Sequence, residues 1–246
     1  MKISILTIFP NMIQSFFNES IVGRAQKSNK VLIECVDIRK YSLDKHKKTD
    51  DIPYGGEMGM VITPQPIYSA FKDITANTKP YTVYLTPKGN KFNQQKAREF
   101  SKKEHLVILC GHYEGVDQRV LDKITDEEIS LGDFVLTGGE IAAAAVTDSV
   151  VRLIDGVLSN EECYLNESLN DGLLEYPQYT RPAVWEDIPV PEVLLSGHHK
   201  NIEEWRRKQS VLLTAVQRPD LLKEAKLTKE EQEEVSAILA KDVENN

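Results

Sequence analysis

Three short apolar runs, each followed at once by a glycine-containing turn, constrain the fold of this chain more than any other feature. The runs lie at 81–85, 106–110 and 134–136, and their turns at 86–90, 111–115 and 137–140. The first two runs lack strict alternation, which is typical of strands buried on both faces of a parallel sheet. Between the runs, residues 94–103 have the polarity of an outer helix, and 140–153 the apolar character of a buried one. The pattern predicts an α/β fold.

The positions of the turns predict a ligand site. In open α/β sheets, ligands bind beyond the carboxyl ends of the strands, where glycine lets the backbone approach a bound molecule. Any one of the turns could be a simple strand-to-helix connection, but all three fall at this end, which favours a shared site. None of them matches the dinucleotide fingerprint GxGxxG or the P-loop GxxxxGK[ST].

Composition limits the class of protein. The chain has 246 residues, 41% hydrophobic and 28% charged, which is typical of a globular protein of one large domain or two smaller ones. Its net charge of −8 argues against sequence-blind nucleic-acid binding, which depends on Lys and Arg. Three separated cysteines, Cys35, Cys110 and Cys163, fit a reducing compartment and form no zinc motif, so we predict no metal site. The short apolar N-terminus predicts a buried strand rather than a signal peptide, and hence a cytoplasmic protein.

The character of the sequence changes after residue 155. Residues 155–175 carry six carboxylates and no Lys or Arg, which predicts an exposed linker, although a solvated acidic loop without chemistry has the same composition. Residues 176–191 contain four prolines and are expected to be irregular. Helices are predicted at about 201–217 and 228–241, and Thr228 with Glu231 has the capping-box spacing. The C-terminal part is therefore predicted to be a small helical unit.

Basic residues form two local clusters despite the negative total. The first holds Arg39, Lys40, Lys45, His46, Lys47 and Lys48, and the second holds His198, His199, Lys200, Arg206, Arg207, Lys208 and Arg218. Such clusters are often solvated faces without a partner. They nevertheless make a phosphate-bearing partner plausible, because local charge rather than the net total attracts it.

Ordered segments along nearly the whole chain resemble one family, the bacterial tRNA (guanine-N1)-methyltransferases of the SPOUT class. The matching segments are Phe9-Pro10, GRA at 23–25, DIPYGG at 51–56 with Gly59-Met60, CGHYEGVD at 110–117, SLGDFVLTGGE at 130–140, DSVVR at 148–152, GLLEYP at 172–177 with YTRP at 179–182, and PEVLLSG at 191–197. So many blocks in the family's order make a chance match untenable.

The resemblance implies a parallel sheet with a deep trefoil knot at 1–158, a flexible linker at 159–170 and a helical tRNA-binding domain at 171–246. It also implies S-adenosylmethionine as methyl donor, N1 of guanosine 37 of tRNA as acceptor, and a homodimer whose active site both subunits build, with no membrane or DNA partner. Carried over residue by residue, the donor site comprises Pro87, Gly89, Gly111, Tyr113, Glu114, Leu131, Gly132, Asp133, Phe134, Val135, Leu136, Gly138 and Gly139. These are residues of the three glycine turns and the segment that leads into the third.

The acceptor defines the chemistry. Guanine N1 carries a proton that a base must remove, which is worth on the order of 10²- to 10⁴-fold in rate, and a cation beside O6 stabilises the developing negative charge. In the family a linker aspartate is the base and an arginine supplies the cation. The resemblance assigns the base to Glu167 and the cation to Arg152, with Asp171 and then Glu162 as reserve candidates for the base.

This chain departs from the family pattern at three positions. Glu167 replaces the aspartate and moves the acid group by on the order of 1 Å. Glu57 stands where the family usually has a third glycine, and Phe134 where some members have tyrosine. Two alternatives therefore stay open: a catalytically weak tRNA-binding protein, and a SPOUT methyltransferase acting on another RNA.

Overall fold

The computed structural model describes residues 1–56, 58–158, 172–223 and 225–244, with only the backbone of 241–244. The chain divides into two compact units, Met1–Asn160 and Glu161–Asn246. Glu57 and the predicted linker at 159–170 lie outside the described residues. The predicted domain boundaries at 158 and 171, and the roles of the domains, stay predictions.

A five-stranded parallel sheet forms the centre of the first unit. Its strands, with a separate short pair, are β1 (Lys2–Thr7), β2 (Leu32–Asp37), β3 (Asp50–Asp51), β4 (Val61–Ile62), β5 (Tyr81–Lys91), β6 (His105–Cys110) and β7 (Glu127–Ser130). The sheet order is β2-β1-β6-β5-β7, and every pairing is parallel; β3 and β4 pair with each other in the antiparallel sense. The predicted α/β class with a parallel sheet is confirmed.

Helices cover both faces of this sheet. They are α1 (Pro10–Phe17), α2 (Ser20–Lys27), α3 (Pro64–Thr75), α4 (Gln94–Ser101), α5 (Gln118–Ile124) and α6 (Glu140–Val151). Apolar residues of α1, α2, α4 and α6 pack on one face, and those of α3 and α5 on the other. In β6, Leu106 and Ile108 belong to the first core and Val107 and Leu109 to the second. Burial on both sides explains why this strand shows no polar alternation.

The third strand is not where the sequence predicted it. Residues 134–136 form no strand; they lie in the loop between β7 and α6, and β7 supplies the third strand instead. Its sequence begins with Glu127 and Glu128 and does not read as a buried run. An edge strand tolerates such carboxylates, and Glu127 pairs with Lys96 Nζ at 3.0 Å.

The second unit is mainly helical. It contains a hairpin of β8 (Val184–Trp185) and β9 (Ile188–Pro189), followed by α7 (Glu192–Leu195), α8 (His199–Gln217) and α9 (Lys229–Glu244). The expectation of an irregular 176–191 was therefore wrong at the hairpin, which pairs on either side of a tight turn at Glu186 and Asp187.

The predicted capping box begins the last helix. The Thr228 amide donates to Glu231 Oε2 at 2.7 Å, and the Glu231 amide donates to Thr228 Oγ1 at 3.2 Å. A small core of Leu173, Val211, Ala215 and Val235 joins the described helices. Across the part of the chain that the structure describes, no helix is long and apolar enough to cross a membrane.

Candidate active site

One cavity of about 330 Å³ lies at the carboxyl ends of β6 and β7 and beside the irregular middle of β5. All three glycine turns contribute to its wall, and its volume lies within the range of roughly 300–1,000 Å³ that is usual for small-molecule sites. Its position matches the rule that ligands of parallel sheets bind beyond the carboxyl ends of the strands.

The first wall is an irregularity in β5. The prediction of a turn at 86–90 was wrong, because β5 continues to Lys91 and these residues lie within the strand. The register between β5 and β7 shifts between Leu85 and Asn90, so the intervening residues leave the regular ladder and Pro87 lines the cavity. A proline is tolerated there because a bulge requires no ladder hydrogen bond from it. Gly89 does not line the cavity. A Cβ at Gly89 would lie 2.4 Å from the backbone of Glu128 and Ile129, so this glycine lets β5 approach β7 closely.

The second wall is the turn after β6. Gly111 lies against the Tyr84 hydroxyl, which would be 2.8 Å from a Cβ at that position. Tyr113 has φ of 57°, a left-handed conformation that costs a non-glycine residue about 1–3 kcal/mol and often marks a functional site. The Glu114 amide donates to the Met60 carbonyl at 3.0 Å, which fixes this turn to the segment that leads into β4.

The third wall runs from β7 into α6. The Gly139 amide donates to the Gly111 carbonyl at 2.9 Å, so the second and third walls are joined by a backbone hydrogen bond. A Cβ at Gly139 would lie 2.8 Å from Cys110 Cα, which leaves space only for glycine at this approach. Asp133 points away to solvent and pairs with Lys91 Nζ at 2.6 Å.

The structure thus brings together all but two of the predicted donor-site residues. Those that line the cavity are Pro87, Gly111, Tyr113, Glu114, Leu131, Gly132, Phe134, Val135, Leu136, Gly138 and Gly139, whereas Gly89 and Asp133 do not. The cavity is also lined by residues that were not predicted from the sequence, among them Tyr84, Lys88, His112, Gln118 and Glu128. His112 lies inside a predicted turn and could have been included, but Tyr84 is inside a strand and gave no signal.

The lining suits a ligand that is both aromatic and cationic. Tyr84, Tyr113 and Phe134 supply ring faces, and Glu114 and Glu128 supply carboxyl groups. Burial raises the pKa of the Tyr84 phenol to about 12, so it remains a hydrogen-bond donor at neutral pH. Burial also raises the pKa of the Cys110 thiol well above its ordinary value, which excludes this cysteine as a ready nucleophile.

Arg152, one of the two predicted catalytic residues, does not line this cavity. Arg152 is the residue that ends α6, and its amide donates to the Asp148 carbonyl at 3.2 Å. Gly139, at the start of α6, lines the cavity, and thirteen residues of rise at about 1.5 Å each place the two ends roughly 20 Å apart. Glu167 and both reserve bases lie outside the described residues.

The two basic clusters differ in how they are paired. In the first, Lys40, Lys45, His46, Lys47 and Lys48 are exposed, next to the 3-10 turn Ile38–Tyr41. In the second, several cations have carboxylate partners: Arg207 with Glu231, Lys208 with Glu234 and Arg218 with Asp220, at 2.7, 3.0 and 2.7 Å. The second cluster is therefore less positive than its sequence indicates.

Comparison with known proteins decides the family. Residues 1–224 match the family described as tRNA (Guanine-1)-methyltransferase TrmD. The chain belongs to this family. It is 56% identical over 231 residues to the tRNA (guanine-N(1)-)-methyltransferase of Clostridium perfringens, covering 94% of this chain and 97% of the relative. The enzymes of the same name from Clostridium botulinum strain Eklund 17B and Clostridium beijerinckii are each 57% identical over 231 residues, covering 94% of this chain and 96% of the relative.

Membership confirms the resemblance read from the sequence. The protein is a tRNA (guanine-N1)-methyltransferase, an enzyme that transfers a methyl group to guanine in tRNA. The cavity beyond the sheet is the candidate site for its methyl donor.

Proposed function

We propose that the protein transfers the methyl group of S-adenosylmethionine to N1 of guanosine 37 of tRNA. The observation that carries the donor assignment is the convergence of three sequence-distant segments, the irregular part of β5 and the glycine turns after β6 and before α6, on one cavity. Its ring faces suit an adenine, and Glu114 and Glu128 suit a ligand that bears a sulfonium and an ammonium group. When bound, this donor supplies an electrophilic methyl group. We further propose that the strands around the cavity form the family's trefoil knot.

The acceptor chemistry is assigned to two residues. Glu167 accepts the N1 proton of guanine, which frees the lone pair for attack, and Arg152 stabilises the negative charge that develops at O6. The assignment of Glu167 rests on its place in the linker motif, since glutamate keeps the carboxyl group of the family's aspartate. We propose that the exposed first basic cluster and the helical unit bind the tRNA backbone.

The position of Arg152 supports a homodimer with a shared active site. Its end of α6 is roughly 20 Å from the end that lines the cavity, at about 1.5 Å per residue, so it is too far to act at the cavity of its own subunit. An arginine supplied by a second copy removes this conflict. Exposed apolar side chains offer a surface for such a copy: Met12 and Phe16 on α1, Phe9 just before it, and Ile141 on α6.

Methyl transfer tests the proposal. Radiolabelled S-adenosylmethionine is incubated with the protein and an unmodified tRNA that has guanosines at positions 36 and 37. We expect label in this tRNA and none in the same tRNA with adenosine at position 37. Tight tRNA binding without transfer would instead support the weak binding-protein alternative, and label in ribosomal RNA but not tRNA would support a different RNA substrate.

A further inference from the structure

A buried glutamate lies directly behind the third wall of the cavity. Glu140, the first residue of α6, is 1% exposed. Its Oε1 accepts a hydrogen bond from Thr7 Oγ1 at 2.7 Å, and Thr7 Oγ1 in turn accepts from the Phe9 amide at 2.8 Å. One oxygen of this carboxyl group is therefore fixed to the end of β1.

The other oxygen, Oε2, is buried and has no hydrogen-bond partner among the described residues. The same is true of Nδ1 of His112, a residue of the second wall. Leaving a polar group buried without a partner costs about 1–3 kcal/mol each, and more for a charged group. Two such atoms in one neighbourhood therefore need an explanation.

Gly138 shows that the two unpartnered side chains face the same point. A Cβ placed there would lie 2.4 Å from Glu140 Oε2, and 2.5 and 2.8 Å from Cδ2 and Nε2 of His112. Gly138 and His112 also form a backbone bridge. The edge of the His112 ring formed by Cδ2 and Nε2 thus faces Gly138, beside Glu140 Oε2, whereas Nδ1 is on the opposite edge.

A half-turn of the His112 ring exchanges these two atoms. The ring lies between Phe9, at a centroid distance of 4.9 Å, and Tyr113, at 5.1 Å. Rotation by about 180° around the Cβ–Cγ bond keeps the plane of the ring, so both aromatic contacts remain. It places Nδ1 where Cδ2 now lies, on the edge of the ring beside Gly138, which is also the position that Glu140 Oε2 approaches.

We propose that Glu140 is a positioning residue for methyl transfer, which accepts a hydrogen bond from Nδ1–H of His112 and thereby holds the second and third walls of the donor cavity together. The bond pairs both unpartnered atoms at once. Through Thr7, the same carboxyl group ties both walls to β1. His112 also precedes Tyr113, whose left-handed backbone is sustained only if its neighbours are held firmly.

Nitrogen NMR of the wild-type protein tests the bond without any change to the structure. We expect Nδ1 of His112 to show the ¹⁵N chemical shift of a ring nitrogen that bears a proton, with its signal assigned by loss in His112→Asn. A bare Nδ1 across the pH range in which the protein is folded would overturn the proposal.

Kinetics test the positioning role. His112→Asn keeps an N–H donor near the Nδ1 position, whereas His112→Leu has a similar size and no donor. In Glu140→Gln, the amide oxygen can still accept the hydrogen bond from Thr7. The NH₂ group then faces His112, and two hydrogen-bond donors face each other without an acceptor. We expect KM for S-adenosylmethionine to rise on the order of tenfold or more in His112→Leu and Glu140→Gln, with KM for tRNA nearly constant. In His112→Asn the KM for S-adenosylmethionine should rise less than about threefold, a much smaller rise than in His112→Leu.

Equal donor KM values in His112→Leu and His112→Asn would contradict the proposal, because a merely space-filling histidine predicts that result. Thermal unfolding of each variant checks that it is folded at the assay temperature. The expected KM values rest on S-adenosylmethionine being the methyl donor, as proposed above, whereas the ¹⁵N measurement does not depend on the donor. Absence of methyl transfer by the wild-type protein would therefore refute the proposed function and leave the hydrogen bond to be decided by the ¹⁵N shift.

Discussion

Replacement of Gly139 by alanine should open the donor cavity at the contact between its second and third walls. The new Cβ would lie 2.8 Å from Cys110 Cα and 3.1 Å from the Gly111 nitrogen, both of them backbone atoms that cannot rotate away. Ordinary contact begins at 3.4 Å, so the two walls must separate by about 0.6 Å, the difference between 3.4 and 2.8 Å. The Gly139 amide to Gly111 carbonyl hydrogen bond, now 2.9 Å, would lengthen to the limit of a hydrogen bond.

The energetic cost follows from these two effects. Overpacking of a tight site costs about 1–3 kcal/mol, and loss of a backbone hydrogen bond about 0.5–1.5 kcal/mol. Because the displaced atoms line the cavity, part of this cost appears as weaker donor binding. We expect the Kd for S-adenosylmethionine, measured by calorimetry, to increase at least on the order of tenfold, which is about 1.4 kcal/mol.

A matched control separates the cavity from the fold. In Gly23→Ala, which lies in α2 away from the cavity, the new Cβ would meet the Asn18 carbonyl oxygen at 2.2 Å, a more severe contact than the one at Gly139. This variant should lose thermal stability but bind the donor normally while folded. Wild-type donor affinity in Gly139→Ala, or an equal loss in both variants, would refute the argument that glycine is required for the geometry of the cavity.

Three further predictions concern the chemistry and the helical unit. Arg152→Ala should lower kcat by about 10²-fold with the donor Kd nearly constant, since the lost cation acts on developing charge; a constant kcat would exclude the role. Glu167→Gln should lower kcat by a similar factor while Glu167→Asp retains activity, and an active Gln variant would direct attention to Asp171. The hydrogen bond from Arg207 lowers the pKa of Glu231, so the stabilisation by this carboxylate is present above its unfolded-state pKa and lost as pH falls through the lower folded-state pKa. Glu231→Gln should therefore reduce the free energy of unfolding by about 1 kcal/mol at pH 7, and chemical denaturation should show the difference vanish in acid; a difference that persists there would contradict the assignment.

The sequence predicted strands where burial produces an apolar run and failed where an edge strand carries polar groups. Burial of β6 on both faces made it readable, whereas β7 is an edge strand whose Glu127 carboxylate pairs with Lys96 and accepts a hydrogen bond from the Tyr81 hydroxyl. The apolar run at 134–136, by contrast, was wrongly predicted to be a strand. Its side chains are apolar although they lie in a loop, and they line the cavity rather than a sheet.

The site was predictable wherever glycine marked a close approach, and not where the requirement is three-dimensional. Gly111, Gly138 and Gly139 stand at contacts that a Cβ would obstruct. No local pattern could show that Glu140 meets Thr7, because the two residues are 133 positions apart and become neighbours only when α6 packs beside β1. The distance of Arg152 from the cavity is likewise a property of the folded chain.

The central claim is that this chain methylates N1 of guanosine 37 of tRNA with S-adenosylmethionine as donor. The most direct measurement is mass-spectrometric mapping of an unmodified tRNA with guanosines at positions 36 and 37 after incubation with protein and donor. The account predicts a single added methyl group, located at position 37 and released on digestion as N1-methylguanosine. An unmodified nucleotide 37, or a methyl group on another atom or nucleotide, would contradict it.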